Sequence, residues 1–593
     1  MRNMIAIGVL LGLLLLVLLR LPGPAPRDAK APTTAIVGVR LFDGTDFVED
    51  AIVILRDGRV LAAGPGIAVP AAATVIDGRG KTALPGLIDA HVHAFGPARE
   101  DALRFGVTTL LDMFRPPMES AQVRAQRQSL AATRRADLFS AGYLATVPGG
   151  HGTQYGFPVP TPTTADADTW VAARLAEGSD YIKIVIEDGS SWGGELPTLA
   201  PETVRALVAA AHARGVLAVA HVSTYAAARQ ALEAGVDGLV HLFVDAPVDA
   251  QFIAAAQSAG IWIMPTATVL AASHGRSAAA ELSEHPVLGA RLSPMQAQTL
   301  GQTFPGAAAR RDRWPMILAG VRALHEAGVP LLAGSDAPNP GTAQGASLHH
   351  ELALLVEAGL APLAALRAAT STPARMFSLP GRGCLQPGCR ADLLLVEGNP
   401  LEDIDATARI AGVWKNGHRV LLERAAARAP GASPAVAQNP AAGPGEPIDL
   451  LTQPTRWMAA SDAYQQGRST AQLSSADTAD RGLLVTGTLR TGFAFPYAGA
   501  MWNTSEVAMQ ATDLSGYRRL EIELDGNAAN YRVMFFSGAE GDPPTWRDVG
   551  AGAARFDFAE LPGVDPSRLR AIGVFVSGAP GDFEFAIRAA RLH

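Results

Sequence analysis

Cysteine is almost absent. Cys384 and Cys389 are the only two in 593 residues, which excludes a cysteine-built zinc scaffold and a disulfide-dense domain. Lysine is nearly as scarce: Lys30, Lys81, Lys183 and Lys415 are the whole complement, so 45 of the 49 basic residues are arginine. Generic positive charge in this chain is therefore supplied by Arg. A basic excess is missing too, and the net charge of −7 argues against a nucleic-acid partner, whose binding needs a basic face. Apolar residues are plentiful at 48% against 18% charged, which excludes wholesale disorder. The 60 glycines and 42 prolines announce many turns and at least one linker.

Residues 4–19 carry no charge, follow Arg2 and end at Arg20. The run is longer than most signal-peptide cores and shorter than a full span. It reads as a signal peptide or N-terminal membrane anchor over residues 1–32. The rest of the chain is then expected outside the cytoplasm, periplasmic or anchored facing the periplasm, with membrane contact through this segment when it is uncleaved. No cysteine follows it, so a bacterial lipoprotein is excluded. In an exported chain, Cys384 and Cys389, which flank a Leu-Gln-Pro-Gly turn, are expected to form a disulfide.

The dipeptides Asp43-Gly44, Asp57-Gly58 and Asp77-Gly78 separate short β segments in 33–83, and the same texture returns in 376–424. These two pieces predict one small β-sandwich domain, split by what lies between them. Between them, 84–375 alternates apolar runs with helical stretches. Runs at 84–92, 107–112, 138–145, 181–187, 216–221, 236–241, 261–265 and 330–335 give the number of strands of a (β/α)8 barrel. A doubly wound open sheet is the competing α/β arrangement. Pro201 opens one helix, with Val204, Leu207, Val208 and Ala211 as its apolar stripe and Gly215 after its end. Residues 425–447 are rich in Ala, Pro and Gly and read as a linker. Residues 448–593 alternate in RRLEIELDG, YRVMFFSG and FEFAIRAARL, the pattern of an all-β, jelly-roll-like sandwich.

Eleven of the thirteen histidines fall between 91 and 350. His91 and His93 stand two apart at the end of the first strand, so period-two geometry points both to one face. They read either as a structural pair or as ligands. Lys183 sits in the middle of the apolar strand DYIKIVIEDG, where an unpaired lysine is rare unless it snorkels from an edge. His221 ends the fifth strand, His241 the sixth, and Asp336 follows the eighth. All six residues fall at C-terminal strand ends, the face where barrel active sites assemble. Four imidazoles, an amine and a carboxylate there point to a metal site, suited to Zn²⁺ and also to Mn²⁺, Fe²⁺ or Ni²⁺. His349 and His350 read as structural or as supports behind the ligands. His212, His274, His285, His325 and His418 read as surface residues, as do Lys30, Lys81 and Lys415.

The set HVH, Lys, His, His and Asp on strands one, four, five, six and eight resembles the amidohydrolase superfamily, and so does the tail GRGCLQPGCRADLLLVEGNPLED. YIKI with its acidic-Gly turn resembles the binuclear prolidase-like and imidazolonepropionase-like branch. That resemblance implies two divalent ions, with His91, His93 and Asp336 on one and His221 and His241 on the other. Lys183, carboxylated on its amine, would bridge both. It also implies hydrolysis of a C–N bond in a small amide, such as a dipeptide or cyclic amide, by metal-activated hydroxide, with Asp336 carrying the proton to the leaving amine. Esters, lactones or phosphotriesters on the same site, or an inactive binding protein, are the alternatives. His151, in GGHG after the third strand, resembles a substrate-facing histidine of that branch, and Tyr225 is a further candidate for substrate contact. The terminal module, 448–593, resembles the complex I intermediate-associated protein family, a galactose-binding-like sandwich, which implies a glycan or protein partner or simple packing.

Overall fold

The computed structural model describes residues 31–421 and 447–593, apart from 118–119, 154–158, 462–468, 476–481, 491–496, 506–508, 529–530, 539–543, 562 and 578–579. The apolar run at 4–19 and nearly all of the expected linker lie outside the described residues. Among the described residues no helix is long and apolar enough to cross a membrane.

Strands β1 (Thr34–Phe42), β2 (Phe47–Arg56) and β3 (Arg59–Gly64) form an antiparallel ribbon, and β4 (Thr74–Asp77) and β5 (Lys81–Pro85) run parallel to β1. The sheet is completed from far along the chain by strands numbered in continuation below: β13 (Leu393–Glu397) pairs with β5, then β14 (Ile410–Lys415) and β15 (His418–Arg419) follow. The two β-rich pieces thus meet in one sheet. The expected split sandwich is a single eight-stranded sheet rather than two facing ones, because β1 takes β4 along Thr34–Val37 and β5 along Arg40–Leu41 on one edge. The sheet folds over on itself: Arg59 bridges Arg390, and Val60 and Trp414 share one apolar cluster. Cys384 and Cys389 are disulfide-bonded, with Cα atoms 6.1 Å apart.

The run expected as one strand at 84–92 divides at Gly86. Pro85 ends β5 in the outer sheet, and β6 (Leu87–Val92) begins a second, parallel system. Gly86 N donates to Asp392 O at 2.8 Å, so the chain leaves the sheet beside the point where it returns. A Cβ at Gly86 would lie 2.3 Å from Thr108, which is why the crossing needs glycine. β6 pairs with β7 (Val107–Asp112), and β7 with β8 (Asp137–Ser140). The strands β9 (Ile182–Ile186), β10 (Ala218–Val222), β11 (Gly238–Val240) and β12 (Trp262–Met264) form a second parallel set. Parallel bridges Ala145↔Ile184, Ile263↔Leu331 and Val92↔Ala337 join the two sets at both ends, and the pairings close into a ring. The third and eighth segments are shorter than the sequence pattern predicts. Only Asp137–Ser140 is regular strand in one, and a single bridge marks the other. Helices separate the strands. Pro201–His212 starts at its proline as expected, and Tyr225–Ala234 is capped by Thr224, whose side chain accepts from Ala227 N.

Lys415, expected at the surface, is fully buried. Its ammonium lies 2.6 Å from Asp392 and 2.9 Å from Asp137, and Asp137 also takes Arg382 at 2.6 Å. A buried cation is tolerable only when paired in this way. The cluster ties β14 of the outer sheet to β8 of the ring. In the terminal module two antiparallel sheets, of six and five strands, share one apolar core in which Leu520, Ile522 and Phe585 meet Trp502, Val533 and Val574.

Candidate metal centre

His91 on β6 and His93 just beyond it do share a face. Their Nε2 atoms lie 3.2 and 3.1 Å from one oxygen, Asp336 Oδ1. One donor atom from each of these three residues falls within 4.8 Å of the others. Asp336 is brought there by the eighth segment, its N donating to His91 O at 2.8 Å, and its backbone adopts φ +53°. That left-handed conformation is uncommon outside glycine and is held by the surrounding ring. His241, directly after β11, is also left-handed at φ +66°. Its Nδ1 lies 2.6 Å from Thr266 Oγ1, and its Nε2 is 3.8 Å from Asp336 Oδ2. His221 on β10 lies edge-on to His241 with ring centroids 4.7 Å apart. His151 stacks on the other side of His221, also at 4.7 Å. Lys183 on β9 is buried, and its charge acts on His91 and His241. Seven of the eight residues singled out in the sequence therefore converge at one end of the ring.

The eighth does not. Tyr225 is the first residue of its helix, and its ring is turned against Phe243 and Phe252 with the hydroxyl 3.2 Å from Asp249. The structure thus does not bring Tyr225, expected as a substrate contact, together with the other seven: capping by Thr224 sends this side chain into the helical layer. His274, expected at the surface, is fully buried, with Nδ1 2.7 Å from Leu270 O. His349 is buried between Thr407 and Phe105, as a structural histidine should be.

The electrostatics favour a cation. Burial above all, with help from Lys183 and His93, pushes the His91 pKa down to about 3 against the opposing charge of Asp336. Burial and the neighbouring His221 likewise hold His241 well below the ordinary value. Burial works to raise the Asp336 pKa, yet His91, His93 and His241 hold it well below the usual carboxylate range. The His91–Asp336 contact is therefore no ion pair at neutral pH but a neutral imidazole facing an ionised carboxylate. Asp336 Oδ1 is buried and makes no hydrogen bond. An anionic oxygen, unbonded and faced by imidazole nitrogens, is costly on its own and is the donor set a divalent ion takes. The residues present fit such an ion. Lys183 is pushed down by burial to about 7, against Asp336 and Asp112, so neutral amine is abundant at neutral pH.

Three supporting residues escaped the sequence reading. Asp89 accepts Ser335 N at 2.9 Å, Ser335 Oγ at 2.6 Å and His91 N at 3.3 Å, fastening β6 to the eighth segment. Burial raises its pKa to about 7. Thr266 fixes His241, and Glu187, just past β9, has Oε2 3.4 Å from His221 Nε2. Asp89 and Glu187 were signalled by alternation, each standing on the face of a candidate ligand, His91 or Lys183, two or four residues away.

Residues 193–420 match the amidohydrolase family. The chain is similar to an imidazolonepropionase of Rhizorhabdus wittichii, 29% identical over 409 residues that span 62% of this chain and 92% of the relative. An imidazolonepropionase of Deinococcus deserti is 33% identical over 185 residues, 29% of this chain and 44% of the relative. Among solved structures, a candidate prolidase from Bifidobacterium longum superposes with a TM-score of 0.54 at 27% identity, over 66% of this chain and 95% of that one. A Xaa-Pro dipeptidase with methionine bound in its active site gives a TM-score of 0.52 at 23% identity, over 65% and 99%, a likeness of fold.

Proposed function

We propose that the chain belongs to the amidohydrolase superfamily, that the ring is a (β/α)8 barrel, and that its His–Asp centre hydrolyses a C–N bond of a small amide, such as a dipeptide or cyclic amide. One observation carries the reading: Asp336 Oδ1, ionised, buried and without a hydrogen bond, is faced by two imidazole nitrogens at 3.1 and 3.2 Å. In this reading His91, His93 and Asp336 would hold one divalent ion and His221 and His241 a second, with Lys183 available to both as its carbamate. Zinc suits the donors, and manganese, iron or nickel are compatible with them. Bound there, such ions acidify water and polarise a carbonyl.

The chain's own groups supply the rest. Asp336, ionised and placed between His91 and His241, accepts the proton of the attacking water and passes it to the leaving amine. Lys183, with an amine near pKa 7, presents the free base that captures carbon dioxide. A carbamate changes its charge from positive to negative, which removes the repulsion a plain ammonium would exert on two cations. His151, stacked on His221 and pushed by burial and His221 to a pKa of about 3, stands neutral at the mouth and can donate or accept one hydrogen bond to substrate.

The test is a panel of dipeptides and cyclic amides assayed before and after chelation and after return of metal. Turnover of amides that disappears on chelation and returns with zinc or manganese is expected. Undiminished turnover in metal-stripped protein, or turnover of esters alone, overturns the reading. The apolar run at 4–19 and the Cys384–Cys389 disulfide support export of the chain. Fractionation of cells making the full chain tests this, with cytoplasmic recovery the contrary result.

A further inference from the structure

The imidazoles of the centre differ in what their ring nitrogens meet away from the cluster. His93 Nδ1 lies 3.4 Å from Phe114 O, and His241 Nδ1 lies 2.6 Å from Thr266 Oγ1. His91 Nδ1 is buried with no hydrogen-bond partner. Among these four rings His221 is the one whose outer nitrogen meets a carboxylate, Glu187 Oε2, at 3.4 Å from Nε2. Glu187 is 1% exposed and firmly held. Its Oε1 accepts Gly189 N at 2.6 Å, and its N donates to Thr198 Oγ1 at 3.0 Å.

Charge balance shows what this carboxylate is for. Asp336 turns Oδ1 toward His91 and His93, so that half of the centre has its anion. His221, His241 and the bare amine of Lys183 carry no negative charge of their own, and Asp336 reaches this half only through Oδ2, 3.8 Å from His241 Nε2. Burying a carboxylate beside His221 costs free energy that a neutral acceptor, as used for His93 and His241, would not. A carboxylate behind a ligating imidazole fixes the ring's rotation and tautomer and strengthens it as a donor.

We propose that Glu187 is the positioning residue of the second cation. It accepts the Nε2–H of His221, leaves Nδ1 as that ring's ligating atom, and so governs the ion held by His221 and His241 but not the one held by His91, His93 and Asp336. The inference rests on the two-ion reading above. Its sequence origin is simple: Glu187, directly after β9, continues the alternation of Lys183 and Val185, which puts the amine and the carboxylate on the same face.

The experiment is titration of the metal-free full chain with Co²⁺ by equilibrium dialysis, read by elemental analysis and by the visible absorption of the bound cobalt, for the wild type, Glu187→Ala and Glu187→Gln. The wild type should bind two ions. Glu187→Ala should keep the first at unchanged affinity and bind the second about 10–100-fold more weakly. Glu187→Gln, whose amide oxygen still accepts the bond, should fall between. Turnover lost by Glu187→Ala at limiting metal should return with excess metal, which a merely structural role would not produce. Two ions bound by Glu187→Ala as tightly as by the wild type would overturn the role of Glu187 and leave the two-ion reading standing. A wild type that binds fewer than two ions would overturn that reading and this inference together. Should Glu187→Ala not fold, Glu187→Gln decides: selective weakening of the second ion supports the inference, and equal loss of both, or of neither, refutes it.

Discussion

Lys415→Met tests whether the buried charge cluster holds the outer sheet to the ring. Methionine keeps the length of the side chain and removes its charge. The side chain is fully buried, and its ammonium is the closest cation to Asp392, at 2.6 Å, with Arg390 next at 3.7 Å. Asp137 fares better, because Arg382 remains at 2.6 Å. The variant therefore strands one carboxylate in the interior, a change of about 3–5 kcal/mol. Unfolding of ~390 residues carries an entropy near 0.8 kcal/mol per kelvin, so the melting midpoint should fall by roughly 4–6 °C. Calorimetry of the full chain measures it. Adding Asp392→Asn removes the stranded charge and should recover at least about half of the loss. The pH dependence carries a further signature. Burial works to raise the Asp137 pKa, but Lys415, then Arg382 and Arg390, hold it below the usual value. Its stabilising contribution is therefore present above the ordinary carboxylate pKa and is lost as pH falls through the depressed one. Without Lys415 that loss should begin at higher pH. A midpoint unchanged within 1 °C, or a double variant no better than the single one, would refute the reasoning.

Lys183→Arg keeps a positive charge but cannot form a carbamate, so turnover should collapse and elemental analysis should find one ion or none per chain; an active variant with two ions would speak against the bridge. Because the Lys183 amine sits near pKa 7, uptake of ¹³C-labelled bicarbonate by the metal-free chain, followed by NMR, should increase as pH rises through about 7, and absence of a carbamate signal at pH 8 would count against it. A chain ending near residue 425 should retain metal binding and turnover. Loss of turnover in a folded, metal-loaded truncation would show that the terminal module completes the site.

What the sequence made legible follows from local geometry. His91 and His93 were readable from period two, Lys183 from its place in an apolar strand of an arginine-rich chain, and His221, His241 and Asp336 from strand ends. Errors arose where the deciding partner is remote. Lys415 and His274 looked like surface residues because groups that accompany them into the interior belong to other segments: Asp137 for Lys415, and Trp192, whose ring centroid lies 6.1 Å away, for His274. Gly86 looked like a residue inside one strand because the group it answers, Asp392 O, lies at the far end of the inserted ring. Tyr225 looked like a site residue because it is near His221 in sequence, but the start of a helix intervenes. Glu187 was in plain view on the face of Lys183 and was absorbed into the turn that follows it.

The meeting of Gly86 and Asp392 also has a temporal side. The Thr82 hydroxyl finds its acceptor, Gly398 O, 316 positions later. At roughly 5–20 residues per second, a ribosome needs about 15–60 s to deliver the partner of β5 once β5 itself has emerged. Through that interval β1–β5 can pair among themselves, but Leu84, buried in the finished protein, stands on an open strand edge. Synthesis that stalls inside the ring therefore yields an adhesive half-sheet rather than a shorter enzyme, and the yield of soluble protein should depend on how well a host shields that edge while the ring is being made.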